Sequence, residues 1–208
     1  MTGLESTNSI AVAVLLDEGA TIIDFAGPWD VFKAAAEEKM EFRVFAVAPT
    51  REPIHTMGGM TLLPDHTFED APQAKVIVIP AQGRGKDPAK LEWIRSASRA
   101  ADHVMSVCTG AFILARTGLL DEGEATTHHE ACDLFEQTFP RIRLRRNVPF
   151  VVSGKFSSAS AGIAGVDLAL HIVSRYQGIA EAEAAAKFLG HRSSAWRGQS
   201  YSQFQSSP

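Results

Sequence analysis

The runs at residues 10–16, 42–48, 76–79 and 103–107 are short and almost unbroken in apolar side chains, mostly Val, Ile and Ala. A strand with one wet face alternates polar with apolar residues. A run without alternation needs cover on both faces, as in a parallel sheet sandwiched between helices. Between these runs lie segments with apolar residues at helical spacing, such as Leu91, Ile94 and Ala97 within 88–101. Strands alternating with helices predict an α/β fold: a doubly wound sandwich whose central sheet is mostly parallel, with helices on both faces.

Other elements are expected around this frame. Gly27-Pro28 reads as the opening of a helix, with Pro28 in the first turn. Helices are also expected over 109–117, 130–138, 165–176 and 179–189. Gly58-Gly59 with 60–63 suggests a hairpin or short edge strand, and 126–128 the close of another short strand. Over 141–146, Arg alternates with Ile142 and Leu144 as in a half-exposed strand, and 150–153 reads as a strand.

The bulk numbers narrow the function classes. A chain of 208 residues suits one domain, expected over 1–197, followed by a polar, Ser- and Gln-rich tail at 198–208 expected to be disordered. A net charge of −4 gives no broad attraction to nucleic acid or to anionic membranes, so neither is expected as a partner. There is no leader-like N-terminus and no apolar run near the roughly 18 residues of a membrane span, which places the chain in the cytoplasm as an expectation. Two cysteines, Cys108 and Cys132, are too few for a disulfide scaffold and are expected to be free thiols.

In doubly wound sheets the ligand site lies beyond the carboxyl ends of the strands. Asp24, the segment Ala81-Gln82-Gly83, Cys108 and His128 all follow expected strands on that edge. Cys108 stands where an apolar strand ends and a helical run begins after Thr109-Gly110, the strand–nucleophile–helix arrangement of a nucleophile elbow. A thiol at the positive end of a helix is expected to have a lowered pKa; the alternative is a buried Cys packing as a small hydrophobe. Asp24, set between apolar neighbours, reads as a helix cap or as a functional carboxylate able to exchange protons with the thiol.

His128 is a candidate base or imidazolium partner for Cys108, with His129 competing for that place. Backbone N–H groups around Gln82 and Gly83, with that of Thr109, are candidates for an oxyanion hole. His128, His129 and Cys132 have metal-like spacing but no nearby fourth ligand, and Gly83-x-Gly85 lacks the Lys-Ser/Thr of a phosphate loop. No metal or cofactor is therefore expected. The Arg141, Arg143, Arg145 and Arg146 cluster could hold an anionic partner or form a solvated strand face.

Taken together, Asp24-Phe25-Ala26-Gly27-Pro28, Ser106-Val107-Cys108-Thr109-Gly110-Ala111, Gly118-Leu119-Leu120 and Ala125-Thr126-Thr127-His128 resemble the PfpI/ThiJ superfamily. The branch most resembled is that of the isocyanide hydratases and of the amidotransferase-like domains fused to AraC-type regulators. The resemblance implies a flavodoxin-like sandwich, a homodimer and a small-molecule substrate. By it Cys108 is the nucleophile that attacks an isocyanide carbon, Asp24 the general acid/base and Thr109 a supporting donor, with an N-substituted formamide as product. Two other activities fit a reactive thiol: a redox or stress-response protein without turnover, and a peptidase or amidase using a Cys–His pair. The chain departs from the family pattern at Pro80-Ala81-Gln82-Gly83, where Pro-Gly-Gly is usual, and its Ser157–Gly165 stretch aligns ambiguously.

Overall fold

The computed structural model describes residues 9–35, 41–83 and 85–198. The strands are β1 (Ser9–Leu15), β2 (Glu41–Ala48), β3 (Ile54–His55), β4 (Thr61–Leu62), β5 (His66–Thr67), β6 (Val76–Ile79), β7 (His103–Val107), β8 (Glu124–Ala125), β9 (Arg143–Leu144), β10 (Phe150–Ser153) and β11 (Phe156–Ala159). The helices are α1 (Ile22–Ala34), α2 (Pro88–Ser98), α3 (Gly110–Arg116), α4 (Cys132–Thr138), α5 (Gly162–Gln177) and α6 (Ile179–Phe188). Seven strands form the central sheet in the order β10-β11-β7-β6-β1-β2-β5, parallel throughout except where β10 runs against β11.

The apolar runs do what an unalternated pattern requires. Val12, Val14, Val76, Val78, Met105 and Val107 face one core together with side chains of α1, α5 and α6. Ala11, Ala13, Leu15, Ile77, Ile79 and Val104 face the other, against α2, α3 and α4. The sheet is thus buried from both sides, and the doubly wound sandwich is the observed fold. From β1 the chain winds outward through β2 in one direction and returns through β6 and β7 in the other. The reversal falls between β1 and β6, and it opens a crevice at their carboxyl ends.

Three local expectations are corrected. Helix α1 begins at Ile22, not at Pro28, which lies inside it. Pro28 leaves the carbonyl four residues back, that of Asp24, without its helical donor, and the helix tolerates this near its first turns. The Ser157–Gly165 stretch is not merely a lead-in to a helix: it supplies β11, and α5 already starts at Gly162. β11 escaped notice because its buried residues include Ser157 and Ser158. The Ser157 and Ser106 hydroxyls donate to backbone carbonyls across the sheet, and the Ser158 hydroxyl accepts the Thr126 N–H at 2.7 Å. Finally, the strand near 126–128 is β8 at Glu124–Ala125, paired in parallel with β9, while Thr126–His128 is irregular.

Residues 58–63 supply one short strand, β4, which pairs antiparallel with β3 at Ile54–His55. The clustered arginines are engaged by acids: Arg141 with Asp121, Arg143 and Arg145 with Glu124, Arg146 with Asp133 and Glu136. Apart from Gly198, the tail lies outside the described residues. Among the described residues no helix is long and apolar enough to cross a membrane.

Candidate active site

Cys108 follows β7 directly and adopts φ 57°, a left-handed conformation uncommon for a residue with a side chain. Its neighbours hold it there. The Cys108 N–H donates to the Ala159 carbonyl of β11 at 2.9 Å, and its own carbonyl accepts the Thr127 hydroxyl at 3.0 Å. A backbone strained by of order 1–3 kcal/mol persists only when its surroundings fix it, as these two bonds do.

Gly110, the first residue of α3, makes the sharp turn possible. A Cβ there would sit 2.2 Å from the Ile79 carbonyl oxygen and 2.9 Å from Pro80 backbone atoms. Gly110→Ala is therefore expected to cost about 1–3 kcal/mol or more, because the contact is with backbone that cannot rotate away. Urea denaturation measures this, and a loss under about 0.5 kcal/mol would contradict so close an approach.

Asp24 lies in the first turn of α1 and is 1% exposed. Its Oδ2 accepts the Ala81 N–H at 3.1 Å, which links α1 to the end of β6 across the crevice. It thus serves a neighbouring strand and does not cap its own helix. Burial pushes its pKa up to about 6, and the Ala81 N–H offsets this only in part. Asp24 and Cys108 are electrostatic neighbours. Burial pushes the thiol up to about 11, and the Asp24 charge adds to the rise. The Thr109 N–H and hydroxyl face the sulfur and act in the opposite sense.

This reverses the expectation of a lowered thiol pKa. Helix α3 has only seven residues, and its dipole and the Thr109 donors act against both desolvation and a carboxylate. Near neutral pH these values leave a thiol beside a carboxylate, an arrangement in which Asp24 can accept a proton.

The other expected residues are placed differently. His128 has its Nδ1 3.9 Å from Glu130 and its ring 4.3 Å from that of His129, and it makes no hydrogen bond to Cys108. Gly83 cannot offer its N–H to a developing charge, because that group already donates to the Glu18 carbonyl at 2.9 Å. With the Ala81 N–H given to Asp24, only the Gln82 N–H of this segment is uncommitted among the described residues. The Gln82 carboxamide nitrogen and oxygen are both buried without a hydrogen-bond partner among the described residues. His128, His129 and Cys132 do not form a metal-holding group; the Cys132 thiol instead donates to the His128 carbonyl at 3.6 Å.

Two residues absent from the sequence reading hold this crevice together. Lys90 of α2 is 0% exposed and lies 2.7 Å from Asp17, itself 4% exposed, and its ammonium also donates to the Gly83 carbonyl at 3.1 Å. With Thr21 N–H to Ala81 O at 2.8 Å and Gly83 N–H to Glu18 O, the loops after β1 and β6 are stitched side by side. The signal was present in the sequence. Lys90, Ile94 and Ser98 share the buried face of α2 at a spacing of four residues.

A sandwich of this topology, with a strained thiol after one strand and a buried carboxylate across the switch point, defines a class. The chain belongs to the DJ-1/PfpI family, whose profile matches residues 10–175. It is 32% identical over 180 residues to the isonitrile hydratase of Pseudomonas putida, a match covering 84% of this chain and 75% of that protein. It is also 25% identical to the HTH-type transcriptional regulator CdhR of Pseudomonas aeruginosa, over 79% of this chain and 50% of the regulator. The chain thus spans about half the length of that regulator. Among solved structures, a ThiJ/PfpI family protein from Pseudomonas syringae superposes with a TM-score of 0.80 at 23% identity, covering 93% of this chain and 79% of that one. Drosophila melanogaster DJ-1beta superposes with a TM-score of 0.76 at 18% identity, covering 89% of this chain and 100% of that one.

Proposed function

We propose that the protein is a cofactor-independent, cysteine-dependent hydratase that converts a small isocyanide to an N-substituted formamide. The observation that carries this reading is the buried Asp24 carboxylate near the Cys108 thiol, its own pKa raised by burial and its charge adding to the rise of the thiol's. The similarity to the P. putida isonitrile hydratase supports the same substrate class. In this reading the Cys108 thiol gives its proton to Asp24 while sulfur attacks the terminal carbon of R–N≡C. Asp24 returns that proton to the same carbon, leaving the thioimidate Cys–S–CH=N–R. Water adds across the C=N bond, and the tetrahedral adduct collapses to R–NH–CHO with the thiol restored. The balance is R–NC plus water to R–NH–CHO, with no redox partner needed. Thr109 steadies the sulfur as charge develops on it, and the Gln82 N–H and carboxamide are candidates to meet the adduct. The reading takes the protein as a cytoplasmic homodimer.

The test is turnover of para-nitrophenyl isocyanide. Because Asp24 must begin as carboxylate, the rate is expected to fall as pH drops through about 6. Asp24→Asn is expected to abolish that limb and to slow turnover by about 10²–10⁴-fold. It carries a stability signature too. A carboxylate whose folded pKa is raised favours the folded state only while protonated, so stability falls as pH rises from about 4 through about 6. Above that window Asp24→Asn is expected to be more stable than the wild type, by about 2–3 kcal/mol from the size of the shift. Slower turnover combined with unchanged or lower stability at pH 8 would remove the buried-carboxylate argument. No turnover by the wild type would remove the substrate class and leave the acid–thiol pair.

A second reading, a regulatory role without turnover, is supported by the similarity to the HTH-type transcriptional regulator CdhR. The raised thiol pKa argues against a peroxide sensor, which needs a thiolate, and the placement of His128 does not favour a Cys–His peptidase.

A further inference from the structure

A second cavity, of about 310 Å³, lies at the amino-terminal ends of β7 and β11, the sheet edge opposite Cys108. β7 has five residues, so roughly 16 Å of strand separates the two places. The cavity is lined by His103, which opens β7; by Lys155 in the turn between β10 and β11; by Ser157 of β11; and by His171 and Arg175 on successive turns of α5. Among the described residues no acidic side chain lines it. Asp102 stands next to His103 in the chain but is turned to the Tyr176 hydroxyl at 3.0 Å and to Lys75 at 3.5 Å.

The Ser157 hydroxyl already donates to the Val104 carbonyl at 3.5 Å, but other donors in this cavity are free or only partly used. Arg175 makes no ion pair or hydrogen bond among the described residues, which leaves the five N–H groups of its guanidinium fork available. Lys155 spends one donor on the Ser98 carbonyl at 2.6 Å and keeps two. His171 Nδ1 lies 3.0 Å from the Trp196 carbonyl, which can only accept; Nδ1 therefore carries the proton, and Nε2 has no hydrogen bond among the described residues. Burial holds both His103 and His171 below the ordinary imidazole pKa, and the Arg175 charge acts on both in the same direction. Two cationic side chains, Arg175 and Lys155, thus border one cavity, and the acid whose charge acts on His103, Asp102, is itself engaged by Lys75 and Tyr176, an arrangement that an anion would relieve.

We propose that this cavity is a binding site for a small phosphate-class anion, inorganic phosphate or a phosphate monoester, held by Arg175 and Lys155 with Ser157, His103 and His171 around it. Two cationic side chains from different elements suit a dianion better than a single carboxylate, and a planar Arg fork matches phosphate geometry. The cavity has room for more than the phosphate group alone. The site is independent of the chemistry at Cys108.

The experiment is a titration of the full chain followed by the imidazole NMR signals of its seven histidines. Inorganic phosphate and ribose 5-phosphate are added in separate arms, with chloride at equal ionic strength as the control. Saturable shifts confined to His103 and His171, and weakened at least about tenfold in Arg175→Gln, are expected. Tighter saturation by ribose 5-phosphate would assign the site to an ester, and tighter saturation by phosphate to the free ion. Arg175 is exposed, so its replacement should leave the fold intact; Lys155→Gln provides a second, independent weakening. Shifts spread over all seven histidines, shifts reproduced by chloride, or saturation unchanged in both variants would overturn the proposal.

Discussion

Replacing Cys108 by Ala is expected to reduce turnover of para-nitrophenyl isocyanide by at least about 10³-fold while leaving the fold intact. Losses of this size follow when a covalent nucleophile is removed and only binding and electrostatics remain. The backbone bonds that hold the turn, Cys108 N–H to Ala159 and Thr127 hydroxyl to the Cys108 carbonyl, do not involve the sulfur and survive the substitution. Retention of full turnover by Cys108→Ala would sink the mechanism outright. A matching loss in Cys132→Ala would show that damage to packing was being read as chemistry, since that buried thiol donates to the His128 carbonyl and not to Cys108 or Asp24.

The largest stability effect is expected at Lys90→Met. The substitution keeps the length and volume of the side chain but leaves Asp17 buried and unpaired, and it takes the ammonium from the Gly83 carbonyl. Breaking one partner of a buried ion pair typically costs 3–5 kcal/mol, because the remaining charge keeps its desolvation penalty without the attraction that offset it. For a chain of this length that corresponds to a fall in Tm of roughly 6–20 °C. The double variant Asp17→Asn/Lys90→Met should recover most of the loss, since Asn can still accept the Glu18 N–H that Asp17 now binds at 2.7 Å. A loss under about 1 kcal/mol for the single variant would mean that water reaches Asp17. The loop carrying Gln82 should loosen with it, so turnover should drop further than the fraction folded.

These two predictions rest on different parts of the chain's legibility. Cys108 could be read from its own neighbourhood: an apolar run that ends in a thiol and restarts as a helix has few foldings, and Gly110 marks the place where two backbones meet. Asp24 was visible as an acid among apolar residues, although Pro28 misdirected the start of its helix. Lys90 was not read at all. A lysine on a helix with a polar face is assigned to solvent unless something acidic waits in the core, and Asp17 is 73 residues away in the chain. β11 was missed for a related reason, since buried serines break the apolar pattern and only their neighbours reveal that their hydroxyls are satisfied.

The layered sheet follows from the order of residues alone, because strands apolar on both faces need cover on both, and so does the edge on which the reactive groups gather. Only the tertiary structure decided which groups meet: Asp24 with Cys108 and Ala81, Lys90 with Asp17, and Gly83 with Glu18. It also decided the direction of the thiol's pKa. A helix end predicts a thiolate from local dipoles alone, whereas desolvation and a nearby carboxylate come from segments distant in the chain. At Cys108 those long-range contributions are the larger.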